Sequence, residues 1–359
     1  MRLRRANAES TVEAMNALVL TDYLKLELQQ VPTPQPGPGE VLIHIAACGI
    51  CGSDVHGFDG SSGRRIPPII MGHEGAGTIA AIGPDVAGWS VGDRVTFDST
   101  IYCGQCDFCR AGQVNLCDAR QVIGVSCADY RRNGAFADYV VVPARVLYGL
   151  ADTLPFDEAA MIEAVSVALH AVVISGFAAG QTAVVIGAGM IGTLIVQALR
   201  VAGAGHILVA DLDPSRLAEA KCSGAHTLIN PNDGSQTVTQ VLNQIPAGVD
   251  HAFEAVGASA TVKQAIAAVR KGGTVTLVGN ISPQVEIPLQ SVVTRQIRLQ
   301  GSAASAGEYP RAIELLASKQ IDVRPLISTI QPLSKGPEAF QRLHSHEPNL
   351  IKVILTPDA

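Results

Sequence analysis

The run Thr182-Ala183-Val184-Val185-Ile186 passes directly into Gly187-Ala188-Gly189-Met190-Ile191-Gly192 and then into the helical stretch Thr193 to Arg200. A strand buried on both faces of a parallel sheet reads as an unbroken apolar run, and a G-x-G-x-x-G at its end turns the chain tightly into a helix. Gly187 permits the turn, Gly189 lets the backbone approach a pyrophosphate, and Gly192 lets helix and strand pack closely. The helix N-terminus, at Met190 and Ile191, offers unpaired N–H groups to the anion. About twenty residues later Ile207-Leu208-Val209-Ala210 ends at Asp211, where a carboxylate accepts hydrogen bonds from an adenosine ribose. That charge repels a 2′-phosphate, and Leu212 and Asp213 supply no compensating base, so NAD is expected rather than NADP. Arg216 either stacks on the adenine, tempers that preference, or is a solvated helix charge.

Further apolar runs at Val249 to Phe253, Gly273 to Val278 and Ile297 to Gln300 alternate with Ala- and Leu-rich stretches, the rhythm of βαβ units. From Leu18 to Val142 the text is different: short β-type runs separated by turns such as Pro32 to Gly39, which reads as an all-β barrel or sandwich. A tail with one amphipathic helix, Tyr309 to Ser318, and one strand, Leu350 to Leu355, is too small for its own core and is expected to return to the first domain. The expected organisation is therefore α/β plus β. Residues 1–14 form a disordered extension, 15–164 and 303–359 a β-rich domain with a lobe near 100–120, and 165–302 a doubly wound dinucleotide domain. A length of 359 residues suits two cores.

Composition removes several function classes. Lys plus Arg total 26 against 32 for Asp plus Glu, a net charge of -6 that lacks the basic excess needed for phosphate backbones, so no nucleic-acid partner is expected. The longest apolar stretch, Ala183 to Val196, falls short of the ~20 residues of a membrane span and is broken by three glycines. No apolar segment follows Arg2, Arg4 and Arg5, which argues against a targeting sequence and for the cytoplasm. In a reducing compartment eight cysteines are not a disulfide framework. Four of them, Cys103, Cys106, Cys109 and Cys117, form C-x2-C-x2-C-x7-C, a spacing at which four thiolates close around a structural zinc ion. A bacterial ferredoxin cluster has a shorter last gap followed by Pro, whereas Asp118 follows here.

Gly49-Ile50-Cys51-Gly52-Ser53-Asp54-Val55-His56 and Met71-Gly72-His73-Glu74-Gly75 place a thiol, a hydroxyl, two imidazoles and an acid on glycine-rich turns. Singly, such a Cys or His is more often a packed residue than a ligand. Taken in order with the cysteine lobe and the Gly187 turn, these segments resemble the zinc-containing medium-chain alcohol and polyol dehydrogenases over nearly the whole chain from Met15. The resemblance implies a GroES-like catalytic domain joined to a Rossmann domain, with Cys51 and His73 as catalytic zinc ligands. It makes Glu74 an acid beside the metal, coordinating directly or one layer out. The third protein position matches Glu163, which either ligates zinc or holds its water. An acid there is similar to the sorbitol dehydrogenase-like branch, although Ala164 stands where polyol members usually have Pro. Ser53 would take the hydroxyl proton and His56 would carry it toward solvent; the bland alternative for Ser53 is a helix N-cap. Val256, Gly257, Val278 and Gly279 would line the nicotinamide.

An open zinc site lowers the pKa of a bound alcohol, and NAD at the carboxyl ends of the strands then takes the hydride, so the site is expected between the two domains. The expected function is hydride transfer between a secondary alcohol or polyol and NAD. The alternatives are a threonine-dehydrogenase-like enzyme, a zinc-free quinone reductase, and a dinucleotide-binding scaffold without turnover. Sorbitol-type enzymes usually carry an aromatic, Arg and aromatic after Gly-Ser, whereas Ala303, Ala304 and Ser305 follow Gly301-Ser302 here. Arg64 and Arg65 are candidate replacements favouring a phosphorylated or acidic substrate, or else a solvated loop pair. A homo-oligomer, dimer or tetramer, is expected through the edge strand Gln296 to Gln300.

Overall fold

Six strands, Thr182–Ile186, His206–Ala210, Thr227–Ile229, Val249–Glu254, Val269–Leu277 and Arg298–Gly301, form one parallel sheet in the computed structural model, which describes residues 14–233 and 236–358. Their spatial order is third, second, first, fourth, fifth, sixth, the Rossmann arrangement, in which ligands bind where the winding reverses. The reversal falls between Thr182–Ile186 and Val249–Glu254. Both faces of the first strand are covered: Ala183, Val184 and Val185 are fully buried, with the helices Ile162–Ile174 and Met190–Val201 on one side and Ser259–Ala268 on the other. Thr227–Ile229 has no counterpart among the strands read from the sequence; at three residues it is too short to show a period. The other strands lie within a few residues of their expected bounds, the largest difference being at Val269–Leu277, which begins four residues early.

The first domain is built around Glu40–Gly49, which pairs antiparallel with Glu74–Ile82 and Tyr139–Pro143. Lys352–Thr356 joins the Gly49 end of the same strand, Ile354 opposite Gly49 and Leu355 opposite Cys48. The C-terminal segment thus lies in the sheet of the β-rich domain. A second apolar cluster, including Leu18, Ile43, Ile69, Phe136 and Phe340, fills this domain. The expectation for residues 1–14 falls outside the described residues except for Ala14, which opens the strand Ala14–Asp22. Among the described residues no helix is long and apolar enough to cross a membrane.

Candidate active site

The pairing of Gly49 with Glu74 brings together two segments more than twenty positions apart. Beyond Gly49 the chain turns through Cys51 into the helix Gly52–Phe58, and His73 immediately precedes Glu74. A side chain at Gly49 would meet Glu74 Oε2 at 2.2 Å, so the strand must lack a Cβ there for the carboxylate to fit. The result is a cluster in which one donor atom each of Cys51, His73 and Glu74 lies within 4.8 Å of the others.

Three buried groups hold this cluster, Asp54, Arg65 and Lys352, of which the sequence alone suggested no role for Asp54 and Lys352. Asp54, fully buried, accepts the Cys51 N–H (3.2 Å) and a guanidinium hydrogen of Arg65 (3.1 Å), and its Oδ1 lies 3.2 Å from His73 Nδ1. A carboxylate against Nδ1 fixes the ring and leaves Nε2 for a metal, the usual arrangement behind a ligating histidine. Burial alone would raise the Asp54 pKa; His73 and Arg65 override it and hold the carboxyl at about 2. Lys352, also fully buried, donates to Ile50 O (3.0 Å) and to Glu74 Oε2 (2.5 Å). Glu74 Oε1 is buried without a protein partner. An orphaned carboxylate oxygen beside a thiol and a free imidazole nitrogen is a donor set suited to zinc. A lone Lys within the apolar run Ile351 to Leu355 is the sequence signal that points to such a buried pair.

Arg65 corrects one expectation. It is 4% exposed and turned inward to Asp54, and Gly57 is empty of a side chain because a Cβ there would meet Arg65 Cγ at 2.1 Å. It braces the metal cluster and is not a free cation of the cleft; Arg64, its neighbour, is exposed.

Ser53 Oγ lies 3.4 Å from His73 Nε2, at the exposed start of the Gly52–Phe58 helix, whose N-cap is Cys51 rather than Ser53. His56 follows one turn later, its Nδ1 3.3 Å from Ser61 Oγ. Glu163 stands in the first turn of Ile162–Ile174, and Ala164 continues the helix without a break. Glu163 is not one of the three clustered donors, but it is close enough for its charge to interact with them. Burial pushes its pKa up to about 7, with His73 opposing and Glu74 reinforcing the shift.

The four thiols of Cys103, Cys106, Cys109 and Cys117 also gather within 4.8 Å of one another. Backbone amides already point at them: Cys103 N–H donates to Cys117 Sγ (3.2 Å) and Cys106 N–H to Cys103 Sγ (3.4 Å). Hydrogen bonds from the Gln105 and Cys106 amides lower the Cys103 thiol to about 6, while burial raises Cys109 to about 12. Within the lobe, Asn115 donates to Ala303 O (2.8 Å), tying it to the segment after the last Rossmann strand.

At the glycine turn, Gly187 has φ +94°, and a Cβ on Gly192 would stand 1.8 Å from Gly187 O. A Cβ on Gly189 would meet nothing within 4 Å, leaving open space before the Met190–Val201 helix. Asp211 accepts the Ala188 N–H (2.6 Å) and the Asp213 N–H (2.9 Å), so it shapes the turn as well as standing at the strand end. Arg216 is exposed and lies 3.7 Å from Asp213 Oδ2. Glu254, a further buried acid that the sequence reading passed over, receives the Val256 and Gly257 N–H groups. Val278 donates to Glu254 O, and Gly279 packs so closely on Val256 and Gly257 that a Cβ would stand 2.2 Å from Gly257 N. These four residues are therefore one packed unit at the ends of the fourth and fifth strands.

Comparison with known proteins agrees with this architecture. Residues 37–152 match the family described as alcohol dehydrogenase GroES-like domain, and residues 190–318 the family described as zinc-binding dehydrogenase. Sorbitol dehydrogenase of Bacillus subtilis (strain 168) is 35% identical over 351 residues, covering 96% of this chain and 98% of its own length. L-idonate 5-dehydrogenase of Vitis vinifera is 35% identical, covering 84% of each chain. A solved structure described as a short chain alcohol dehydrogenase of Escherichia coli CFT073, complexed with NADH, superposes with a TM-score of 0.87 at 29% identity over 96% of this chain and 99% of that one. With both parts of the chain matched and relatives aligned over nearly its whole length, the chain belongs to the zinc-binding alcohol dehydrogenase family, among relatives that include sorbitol and idonate dehydrogenases.

Proposed function

We propose that this protein is a zinc-dependent dehydrogenase that transfers hydride between a secondary alcohol or polyol and NAD. The observation that carries the reading is the donor cluster of Cys51, His73 and Glu74, with Glu74 Oε1 buried and unpartnered and the Ser53 hydroxyl 3.4 Å from His73 Nε2. Cys51 and His73 would hold the catalytic zinc, Glu74 and Glu163 would coordinate it or its water, and the four lobe cysteines would hold a structural zinc. Bound there, catalytic zinc supplies Lewis acidity that makes an alcohol acidic near neutral pH.

The remaining work falls to residues of the chain. Ser53 accepts the substrate hydroxyl proton, and His56, one turn along the same helix, passes it toward the Ser61 side of the surface. Asp54 and Lys352 keep His73 and Glu74 in place, so little reorganisation accompanies the reaction. The amides at Met190 and Ile191 receive the pyrophosphate in the open space at Gly189, and Asp211 uses its remaining lone pairs for the ribose hydroxyls. Val256, Val278 and Gly279 line the nicotinamide side. The acid at Asp211 favours NAD over NADP, and NADH in the Escherichia coli neighbour is consistent with a nicotinamide coenzyme. A cytoplasmic homo-oligomer suits the exposed edge strand Arg298–Gly301 and the exposed Leu289 and Val293 beside it.

A substrate screen followed by NADH absorbance, with NAD and NADP compared and metal content measured, tests the reading. About two zinc ions per chain and chelator-sensitive oxidation of polyols with NAD support it. Dinucleotide binding without turnover of any alcohol would leave the scaffold alternative standing.

A further inference from the structure

Four cations of the β-rich domain fall into two kinds. Arg65 and Lys352 are each committed to a buried carboxylate. Arg64 and Arg120 are not: among the described residues neither forms an ion pair, and Arg120 Nε is buried without any hydrogen-bond partner. A buried guanidinium Nε–H left unsatisfied is uncommon, because desolvating a donor costs free energy that a partner normally offsets.

Backbone pairing brings the segments that carry these two arginines together. Arg120 closes the cysteine lobe, its N–H donating to Cys117 O (3.0 Å), and leads into Gln121–Val122, which pairs with Thr100–Ile101. The chain then reaches Val125–Ser126, where the Ser126 N–H donates to Arg64 O (3.3 Å) and the Ile66 N–H to Ser126 O (3.0 Å). Because neighbouring side chains in extended backbone point to opposite sides, Arg65 turns in to Asp54 and Arg64 turns the other way. Burial first, and the like charge of Arg64 next, lower the Arg120 pKa; the groups that oppose the shift are the Tyr130 phenol, Asp98 and Glu163, and neither carboxylate forms an ion pair with Arg120. Glu163 in turn interacts with His73 and Glu74. Arg120 is therefore within electrostatic range of Glu163, which is itself within range of the metal cluster, and Ala303 and Ala304, tied to the lobe through Asn115, add no charge of their own.

We propose that Arg120 and Arg64 form an anion subsite on the Glu163 side of the active site, so that the substrate is a polyhydroxyl chain bearing a phosphoester or carboxylate. Two guanidiniums without a carboxylate partner, with the Tyr130 phenol beside them, present forked donors suited to either oxyanion, and Arg120 is the specificity residue that touches it. The inference rests on the dehydrogenase reading and sharpens its substrate class.

The test uses the zinc-loaded protein saturated with NAD, so that the pyrophosphate site is filled. Calorimetric titration with inorganic phosphate and with gluconate measures the subsite without turnover, and kinetics compare sorbitol, an aldonate and sorbitol 6-phosphate. At least one anion binds the wild type and is lost in the Arg64→Ala/Arg120→Ala double variant. The better of the two anions names the group. For the corresponding substrate, Arg120→Ala raises KM about tenfold or more relative to its effect on sorbitol, with partial rescue by Arg120→Lys. If Arg120→Ala does not fold, Arg64→Ala, at an exposed position, carries the comparison. Failure of both anions to bind the wild type, or a preference for anionic substrates that survives both substitutions, overturns the subsite, even if sorbitol is oxidised. Anion binding without oxidation of any polyol would leave the subsite in place and remove the dehydrogenase reading.

Discussion

The cysteine lobe and the catalytic cluster gather metal donors by opposite means. In the lobe all four thiols come from positions 103–117, and local backbone amides already orient them. In the catalytic cluster Cys51 comes from one segment and His73 and Glu74 from another, and buried charges lock them, Arg65 from the chain between the two and Lys352 from near the C-terminus. A donor set encoded by spacing needs only a short stretch of chain; one encoded by strand pairing needs a finished domain. Damage to the lobe should therefore appear mainly as instability, and damage to the cluster mainly as lost chemistry.

The largest expected effect is at the cluster itself. His73→Ala should reduce turnover to background and remove one zinc equivalent, read by metal analysis, while the lobe keeps its own. Next comes the buried pair. Lys352→Met leaves the Glu74 carboxylate uncompensated and should lower unfolding free energy by about 3–5 kcal/mol in urea titrations, with recovery when Glu74→Gln is added. If the single variant were as stable as the wild type, the idea that Lys352 holds Glu74 would be lost.

Asp54→Asn should weaken zinc binding or kcat roughly 10–100-fold, the range found when a partner behind a metal ligand is removed. Its stability signature depends on pH in a defined direction. The folded carboxyl sits at about 2, below its unfolded value near ~3.9, so its contribution is full above the latter and fades as pH falls toward the former. The stability gap between wild type and Asp54→Asn should close over that interval. Cys106→Ser should remove the other zinc equivalent and lower Tm while reducing kcat less than Asp54→Asn does; a larger kcat effect would mean that the Asn115 contact to Ala303 couples the lobe to catalysis. The smallest change is expected at the coenzyme. Asp211→Asn should raise KM for NAD by about tenfold or less, the worth of one charged hydrogen bond, and narrow the preference over NADP.

Much of the fold is legible because its signals are local. The glycine turn after Thr182–Ile186 and the cysteine spacing each carry their physical reason within a dozen or so residues. Thr227–Ile229 is not legible: it is a strand only because His206–Ala210 offers it an edge. Among site residues, Cys51 and His73 could be picked out once the motifs were taken together. Arg65 could not, since Arg64 and Arg65 are chemically identical and only the folded path of the loop sends one to Asp54 and leaves the other exposed.

What the sequence determined by itself is the kind of chemistry available: a dinucleotide turn, a closed thiolate lobe, and donors for a second metal. Tertiary structure alone decided which charges are spent. Lys352 is nearly three hundred positions from Glu74, and it meets that carboxylate because the last strand pairs beside Gly49. Whether a buried cation is satisfied or free depends on distances that no linear pattern encodes, and that difference separates the residues bracing this site from those left to meet a substrate.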